Sequence, residues 1–455
     1  MSTNLVANVT VSGNLTGANV SSSNVFQFSG PETLTSSGAM NPYRPSVLRP
    51  SSLFSTALIP ASGGFCQVNK TVTDAGGNVY AVGSYYSSTA VTIYNLTANP
   101  NTSSSGYSLP SSSSNSGFII KYNSTGTYIA AATFPSSSSS GLNTAVCDAT
   151  GNFYVGGYYQ STSTTIYNLT ANPNTSSSGY SLPSSSNLQI SFMVKFGASG
   201  SYVSALTLPT SGYSAVRGMA VDGNGNIYIS GTYTSTSFTL YNLTANPNSS
   251  SSGYSMIATT YQAGYIIKYN SSGSYVLSSS IGNVYNSGQY ISTVLVACDS
   301  SSNVFIGGYG HTNSATLDIS SYNLTANPNT TGAAYSIYAA AAPYDRGFIM
   351  KWNSSGTYLA MVSIFLPTSI TLAGITVDSS GSVYATGKGG LSSSNGIANM
   401  ALNPGTAGTG SGFSGVGGSY YSNYILRWNA AGYCNAAWMI AADWPYGQPY
   451  GYDIT

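Results

Sequence analysis

Short runs of apolar and β-branched residues, each closed by a polar corner, recur along the whole chain. One copy begins Gly218-Met219-Ala220-Val221-Asp222 and turns at Gly223-Asn224-Gly225-Asn226. The next run, Ile227 to Tyr233, is β-branched and aromatic. Runs of that kind on either side of a Gly/Asn corner, which tolerates left-handed backbone, predict a β-hairpin. After a long polar stretch come Gly264-Tyr265-Ile266-Ile267-Lys268-Tyr269, the turn Asn270-Ser271-Ser272-Gly273 and a fourth run from Ser274. Two hairpins in succession predict one antiparallel sheet of four strands.

The same text is written five times. Its corner acid falls at Asp74, Asp148, Asp222, Asp299 and Asp378, at steps of 74, 74, 77 and 79 residues. Its base, closing the third run, falls at Lys121, Lys195, Lys268, Lys351 and Arg427. A fixed period of this size signals copies of one supersecondary unit. A lone four-stranded sheet would leave both apolar faces in water, so neighbouring copies are expected to pack face to face; set around an axis, they make a β-propeller. The phrases Val221 to Tyr233, Ser301 to Tyr309 and Gly117 to Ala130 resemble the repeat of the bacterial seven-bladed β-propeller family. That repeat runs Asp, Gly-Asn, strand, Gly, then a strand ending in Lys and a Gly turn. The resemblance covers residues 65 to 443 and implies an all-β propeller. It implies no particular activity, because propellers host many.

Both chain ends carry parts of a further copy. Ser22 to Gly30 parallels Ser301 to Gly308, Ser46-Val47-Leu48-Arg49-Pro50 parallels Tyr424 to Trp428, and Leu53 to Pro60 parallels Tyr202 to Pro209. Near the other end, Pro449-Tyr450-Gly451-Tyr452-Asp453 repeats the approach to the corner acid. The expectation is therefore one propeller domain over 21–455, with five repeats in 61–445 and a sixth, closing blade shared between 21–60 and 446–455. Arg49 and Asp453 are its base and acid. In the alternative, the C-terminal strand adds to a neighbouring copy and builds a filament. Residues 1–20 alternate Asn, Thr and Ser with Val and Leu. They read as an extended tether similar to the short β repeats of viral surface and tail proteins.

Composition narrows the function. The 455 residues hold 11 Lys+Arg, 10 Asp+Glu and 1 His, so charged residues make up 5% against about 25% in an average protein. Ten of those charges are the repeat's own acid and base, and the net charge of +1 offers no footprint for nucleic acid or an anionic membrane. No apolar run reaches 18 residues, so no membrane span is expected, and Met1-Ser2-Thr3-Asn4-Leu5 lacks the basic start of a secretion signal. Cys66, Cys147, Cys298 and Cys434 are too sparse for a disulfide framework and read as small apolar residues. His311 has no Cys, His or carboxylate at ligand spacing and reads as a surface loop residue. No nucleophile elbow, phosphate loop or metal signature is present, so no catalytic residue, metal or cofactor is expected.

The long polar stretch within each repeat carries a near-identical text. Tyr94-Asn95-Leu96-Thr97-Ala98-Asn99-Pro100-Asn101 recurs from Tyr167, Tyr241 and Tyr322, each time followed by a Ser/Thr/Gly-rich stretch with a Gly-Tyr-Ser or Ala-Tyr-Ser step. These stretches are expected to coat the side opposite the corners, with Tyr94, Tyr167, Tyr241 and Tyr322 as its contact residues. They hold Asn-x-Ser/Thr triplets at Asn95, Asn101, Asn168, Asn174, Asn242, Asn248, Asn323 and Asn329, which are candidate glycosylation sites. The corner acids could ring an axial cation or sugar site, or simply cap their own turns; the bases are candidate ion-pair partners for them.

These features point to a non-enzymatic structural or adhesive protein at a virion surface or another extracellular location, first of all an external component of a large virus particle. Its expected partners are other particle or cell-surface proteins, copies of itself, or glycans. A lectin-like carbohydrate-binding propeller is the second expectation. A propeller glycosidase or lyase using Asp222 or Asp299 is the third.

Overall fold

The computed structural model describes residues 64–97, 103–186, 188–282, 290–311, 319–328, 335–337, 345–364, 370–389, 396–402, 410–414 and 422–440. The expected tether and closing blade, with Arg49 and Asp453, lie outside the described residues, as do Asn101 and Asn329.

Among the described residues every regular element is a strand, and the strands form five four-stranded antiparallel sheets. Sheet one holds Phe65–Thr73, Val79–Ser87, Ser112–Tyr122 and Tyr128–Phe134. Sheet two holds Ser139–Cys147, Phe153–Gln160, Ile190–Phe196 and Tyr202–Leu208. Sheet three holds Tyr213–Val221, Ile227–Ser235, Thr259–Tyr269 and Tyr275–Ile281. Sheet four holds Tyr290–Cys298, Val304–His311, Arg346–Trp352 and Tyr358–Ile364, and sheet five Thr371–Val377, Val383–Gly389, Ser422–Trp428 and Cys434–Ile440. Within each, neighbours in sequence pair in order, as the two-hairpin reading requires. One parallel bridge, Asn115 to Ser139, links sheets one and two.

A bulge fixes the character of the first two strands. In sheets one, two, three and five the first strand slips register at Val68/Lys70, Leu142/Thr144, Val216/Gly218 and Leu372/Gly374. The carbonyl before each slip presses on the second strand, where a Cβ on Gly83, Gly157, Gly231 or Gly387 would stand 1.9 to 2.0 Å from it. Only glycine fits there.

From sheet two to sheet five, each first strand packs on the first three strands of the sheet before it. Asn69 Nδ2 donates to Leu142 O at 2.8 Å, Asn143 Nδ2 to Val216 O at 2.7 Å and Ser230 Oγ to Val294 O at 2.8 Å, so successive sheets are laced by hydrogen bonds as well as apolar contact. Tyr80 of sheet one stacks on Phe153 of sheet two with ring centroids 4.3 Å apart. Leu142, Val216, Val294 and Leu372, each paired with a second-strand glycine, are fully buried by this packing.

Among the described residues the stack has two open ends. Val68, the counterpart of Leu142 in sheet one, is 37% exposed. Trp438 in sheet five is 48% exposed, although Ala132, Leu206 and Val362 at the same register position are fully buried. Among the described residues the fifth sheet has no comparable packing against the first.

The long polar stretches do not coat one side. They fold as two-stranded hairpins: Val91–Tyr94 with Ser104–Leu109, Thr164–Tyr167 with Ser177–Leu182, Phe238–Tyr241 with Ser251–Met256, Ile319–Ser321 with Tyr335–Ile337, and Gly396–Ala398 with Gly410–Ser414. Four of these pack on the fourth strand of the preceding sheet, and four also touch the fourth strand of their own. Val91, Ile93, Ile166, Phe238 and Leu240 alternate inward and are buried. The hairpins are wedges between the outer strands of adjacent sheets.

Candidate interaction surface

The corner acids are spent on their own turns. Asp222 Oδ1 accepts the backbone N–H of Asn224 and of Asn226, both at 2.9 Å, and Oδ2 accepts Asn226 Nδ2 at 2.9 Å. The same acceptances recur at Asp74, Asp148 and Asp299, and at Asp378 a Ser380 hydroxyl takes the place of the Asn side chain. A second-strand tyrosine adds its hydroxyl to Asp148 and Asp378, each at 3.1 Å. Each carboxylate thus fills the orphan donors of a tight turn.

The matching bases lie over aromatic rings rather than on the acids. Lys121 stands 4.9 Å from the centroid of Tyr80, Lys195 5.2 Å from Tyr154, Lys268 5.2 Å from Tyr228, Lys351 4.9 Å from Phe305 and Arg427 5.5 Å from Tyr384. Among the described residues none pairs directly with a corner acid. In four sheets the ring is a tyrosine whose face attracts the cation and whose hydroxyl serves the acid, so it separates the two charges, while in sheet four Phe305 supplies the face alone. Lys121 Nζ and Lys268 Nζ also donate to Ala198 O at 3.4 Å and Ser354 O at 2.8 Å in the next sheet. Burial lowers the Lys268 pKa, against the pull of Asp222. Lys195 borders a cleft of about 220 Å³ between sheets two and three, shared with Tyr154, Ser204, Thr244 and Ser271.

The repeated Tyr-Asn-Leu-Thr-Ala-Asn-Pro-Asn text is a clasp. Its first asparagine accepts the N–H that opens the fourth strand of its own sheet, Asn95 from Tyr128, Asn168 from Tyr202, Asn242 from Tyr275 and Asn323 from Tyr358, all at 2.8 Å. The Nδ2 atoms of Asn95, Asn168 and Asn242 donate to Ser103, Ser176 and Ser250 at 3.0 Å. The buried leucine that follows donates its N–H to the glycine of the sheet's last turn, as Leu169 does to Gly200 O at 2.9 Å. The tip therefore reaches the end of the sheet that carries the corners, not the end opposite.

Beyond the leucine, the clasp seizes the preceding sheet. Thr170, Thr244 and Thr325 bridge to Ala131, Ala205 and Ser278. Asn174 accepts Thr133 N at 2.9 Å and donates to its Oγ1 at 2.6 Å; Asn248 does the same to Thr207, at 2.8 and 2.6 Å. The carboxamides expected to carry glycans are thus working parts of the fold.

Tyr94, Tyr167, Tyr241 and Tyr322, the expected contact residues, are half-buried. The open rings belong to the Gly-Tyr-Ser step: Tyr107, Tyr180 and Tyr254 are 37%, 38% and 38% exposed. The signal in the sequence for these rings is the glycine that precedes each tyrosine. Each open ring leans on a fourth-strand tyrosine, Tyr128, Tyr202 or Tyr275, at 5.6, 5.5 and 5.8 Å.

His311 ends a strand rather than lying in a loop. Its Nδ1 is 2.7 Å from Asp345 Oδ1 and its ring stacks on Tyr290, so it has a carboxylate partner that sequence spacing, at 34 residues, did not reveal. The four cysteines are free thiols. Burial pushes Cys66 up to about 11 and Cys147 up to about 12, which leaves them protonated and inert at neutral pH. No cluster of metal-ligating side chains occurs among the described residues. No helix there is long and apolar enough to cross a membrane. No protein-family model matches the chain, and no curated protein matches it either.

Proposed function

We propose that the chain is a six-bladed β-propeller, closed by its two terminal segments, that serves as a non-enzymatic structural or adhesive component on the outside of a particle, first of all a large virus particle. The observation that carries the functional reading is how the ionisable groups are used. Corner carboxylates are saturated by their own turns, and bases are parked on aromatic rings. The remaining surface depends on Ser, Thr, Asn and Tyr, the residues of adaptable, uncharged recognition.

Closure is supported by the open faces at Val68 and Trp438, each apolar where its counterparts are covered, and by the blade-like text at Ser22 to Pro60 and Pro449 to Asp453. The same two faces favour one alternative, in which copies stack end to end into a filament. Mass spectrometry and immunogold microscopy of purified particles from the source test the location. The protein is expected at high copy number on the particle exterior; its absence from purified particles sinks the reading.

A further inference from the structure

Tyr107, Tyr180 and Tyr254 make three copies of one arrangement on the two-stranded hairpins. Each ring is tilted 38° to 40° on its fourth-strand partner, and the partner's hydroxyl is locked to the next clasp: Tyr128 to Ala171 O, Tyr202 to Ala245 O and Tyr275 to Ala326 O, all at 2.7 Å. The supporting ring is therefore fixed, while the outer ring stays open.

Beside each open ring sits a glycine, Gly106, Gly179 or Gly253, with φ of +81° and no atom within 4 Å of where a Cβ would be. The backbone N–H of that glycine is already bonded to the serine two residues earlier, at 3.1 Å in all three copies. The result is a flat aromatic face next to free space, with a serine hydroxyl proton at its border. Residues 88–116, 161–189 and 235–263, which contain the three hairpins, hold no charged side chain. Nor do the supporting strands Tyr128–Phe134, Tyr202–Leu208 and Tyr275–Ile281.

From this geometry we infer three equivalent stations for a neutral polysaccharide, one pyranose ring seated on each exposed tyrosine. The negative face of the ring meets the axial C–H groups of the sugar, and the serine hydroxyl reaches the sugar's own hydroxyls. An anionic ligand finds no cation here. A ligand built of repeating units suits sites that repeat, because each further contact is made at high effective concentration. The inference deepens the adhesive reading, yet its test is separate: particle location is read by mass spectrometry, ligand class by retention.

The test is affinity electrophoresis of the full chain in gels cast with neutral β-glucan, chitin derivative, mannan or galactan, alongside an anionic polysaccharide. Retardation is expected in at least one neutral gel. Each of Tyr107→Ala, Tyr180→Ala and Tyr254→Ala should weaken binding about 3- to 10-fold, and the triple change about 100-fold or more. The triple Tyr→Phe variant keeps the aromatic faces and should bind within about 3-fold of the parent. Unfolding midpoints of all variants are compared, and the Phe set guards against loss of fold. No retardation in any neutral gel, undiminished binding by the triple alanine variant, or loss of self-association in place of sugar binding each overturns the inference.

Discussion

Asp378 lies open to solvent, yet the Ser380 hydroxyl, then the Ser382 N–H, hold its carboxyl down to about 2. Asp74 and Asp148 are lowered too; burial pushes both up, and donations from Asn78 and Asn152 outweigh it. An unfolded aspartate titrates near 3.9. The folded chain thus binds fewer protons than the unfolded chain between about pH 4 and pH 2, and the stabilisation, complete above that window, is lost as pH falls through it. The unfolding midpoint is expected to hold steady from neutrality to about pH 4 and then drop towards pH 2, less steeply in Asp378→Asn. A midpoint that stays flat to pH 2 would contradict the capping role. Removing a cap altogether, in Asp222→Ala, strands the N–H groups of Asn224 and Asn226 and should cost about 1–3 kcal/mol by urea unfolding. The fourth corner adds a finer test. Ser302 adopts φ of 60° where the other corners have Gly77, Gly151, Gly225 and Gly381. That conformation costs a non-glycine residue roughly 1–2 kcal/mol, but Ser302 Oγ accepts Asn224 Nδ2 from the previous sheet at 3.1 Å, worth about 1 kcal/mol. Ser302→Gly should therefore change stability by less than about 1 kcal/mol in the parent, and stabilise by about 1 kcal/mol once Asn224→Ala has removed the bond.

Two strand glycines separate what a closed interior demands from what a left-handed backbone alone demands. Gly231→Ala would set a Cβ 2.0 Å from Ala215 O and 2.7 Å from the Tyr265 hydroxyl in a closed interior, so a loss of about 3 kcal/mol or more is expected. Gly253→Ala meets no atom within 4 Å and should cost only the left-handed backbone penalty, about 1–2 kcal/mol. Leu243→Ala, in the clasp, should cost about 2–5 kcal/mol, since the leucine is buried between a hairpin and the last turn of its sheet. These contrasts also mark where sequence was informative. Corner acid, strand alternation and second-strand glycine are local signals, and the four-stranded sheets were legible from them. The clasp was not, because Asn248 finds Thr207 and Tyr202 finds Ala245 across 41 and 43 residues, and nothing in a polar Asn-Pro-Asn text announces such partners. In sequence these polar residues look solvent-facing, whereas their hydrogen bonds run between sheets. The place of the bases is hidden in the sequence for a related reason. Acid and base recur in step, which suggests an ion pair, while the tyrosine or phenylalanine between them is visible only once the second and third strands are side by side.

At the scale of the whole molecule, the decisive question is what covers the two ends of the stack. Interior junctions bury first-strand residues such as Leu142 and Val216 and fourth-strand residues such as Leu206 and Val362, and each of these side chains stabilises by about 1.5–3 kcal/mol. Val68 and Trp438 are the same positions left open, so a five-sheet stack forfeits that contribution twice. Terminal segments that supply a sixth sheet recover both at once and tie the first repeat to the last. Deleting residues 446–455 removes the strand that would bind the two ends together. In the closed ring the truncated chain stays monomeric by light scattering, its unfolding free energy falls by on the order of 3–5 kcal/mol, and amide exchange rises first in the strands Phe65–Thr73 and Cys434–Ile440. End-to-end stacking of copies predicts the opposite pair of results: the intact chain assembles with concentration, the truncated chain does not, and the unfolding free energy of the monomer is unchanged. Because a ring gains its stability within one chain and a filament between chains, protein concentration separates the two even where both lose stability on truncation. A midpoint that rises with concentration in the intact protein, and stops doing so once residues 446–455 are deleted, would therefore exclude the closed ring.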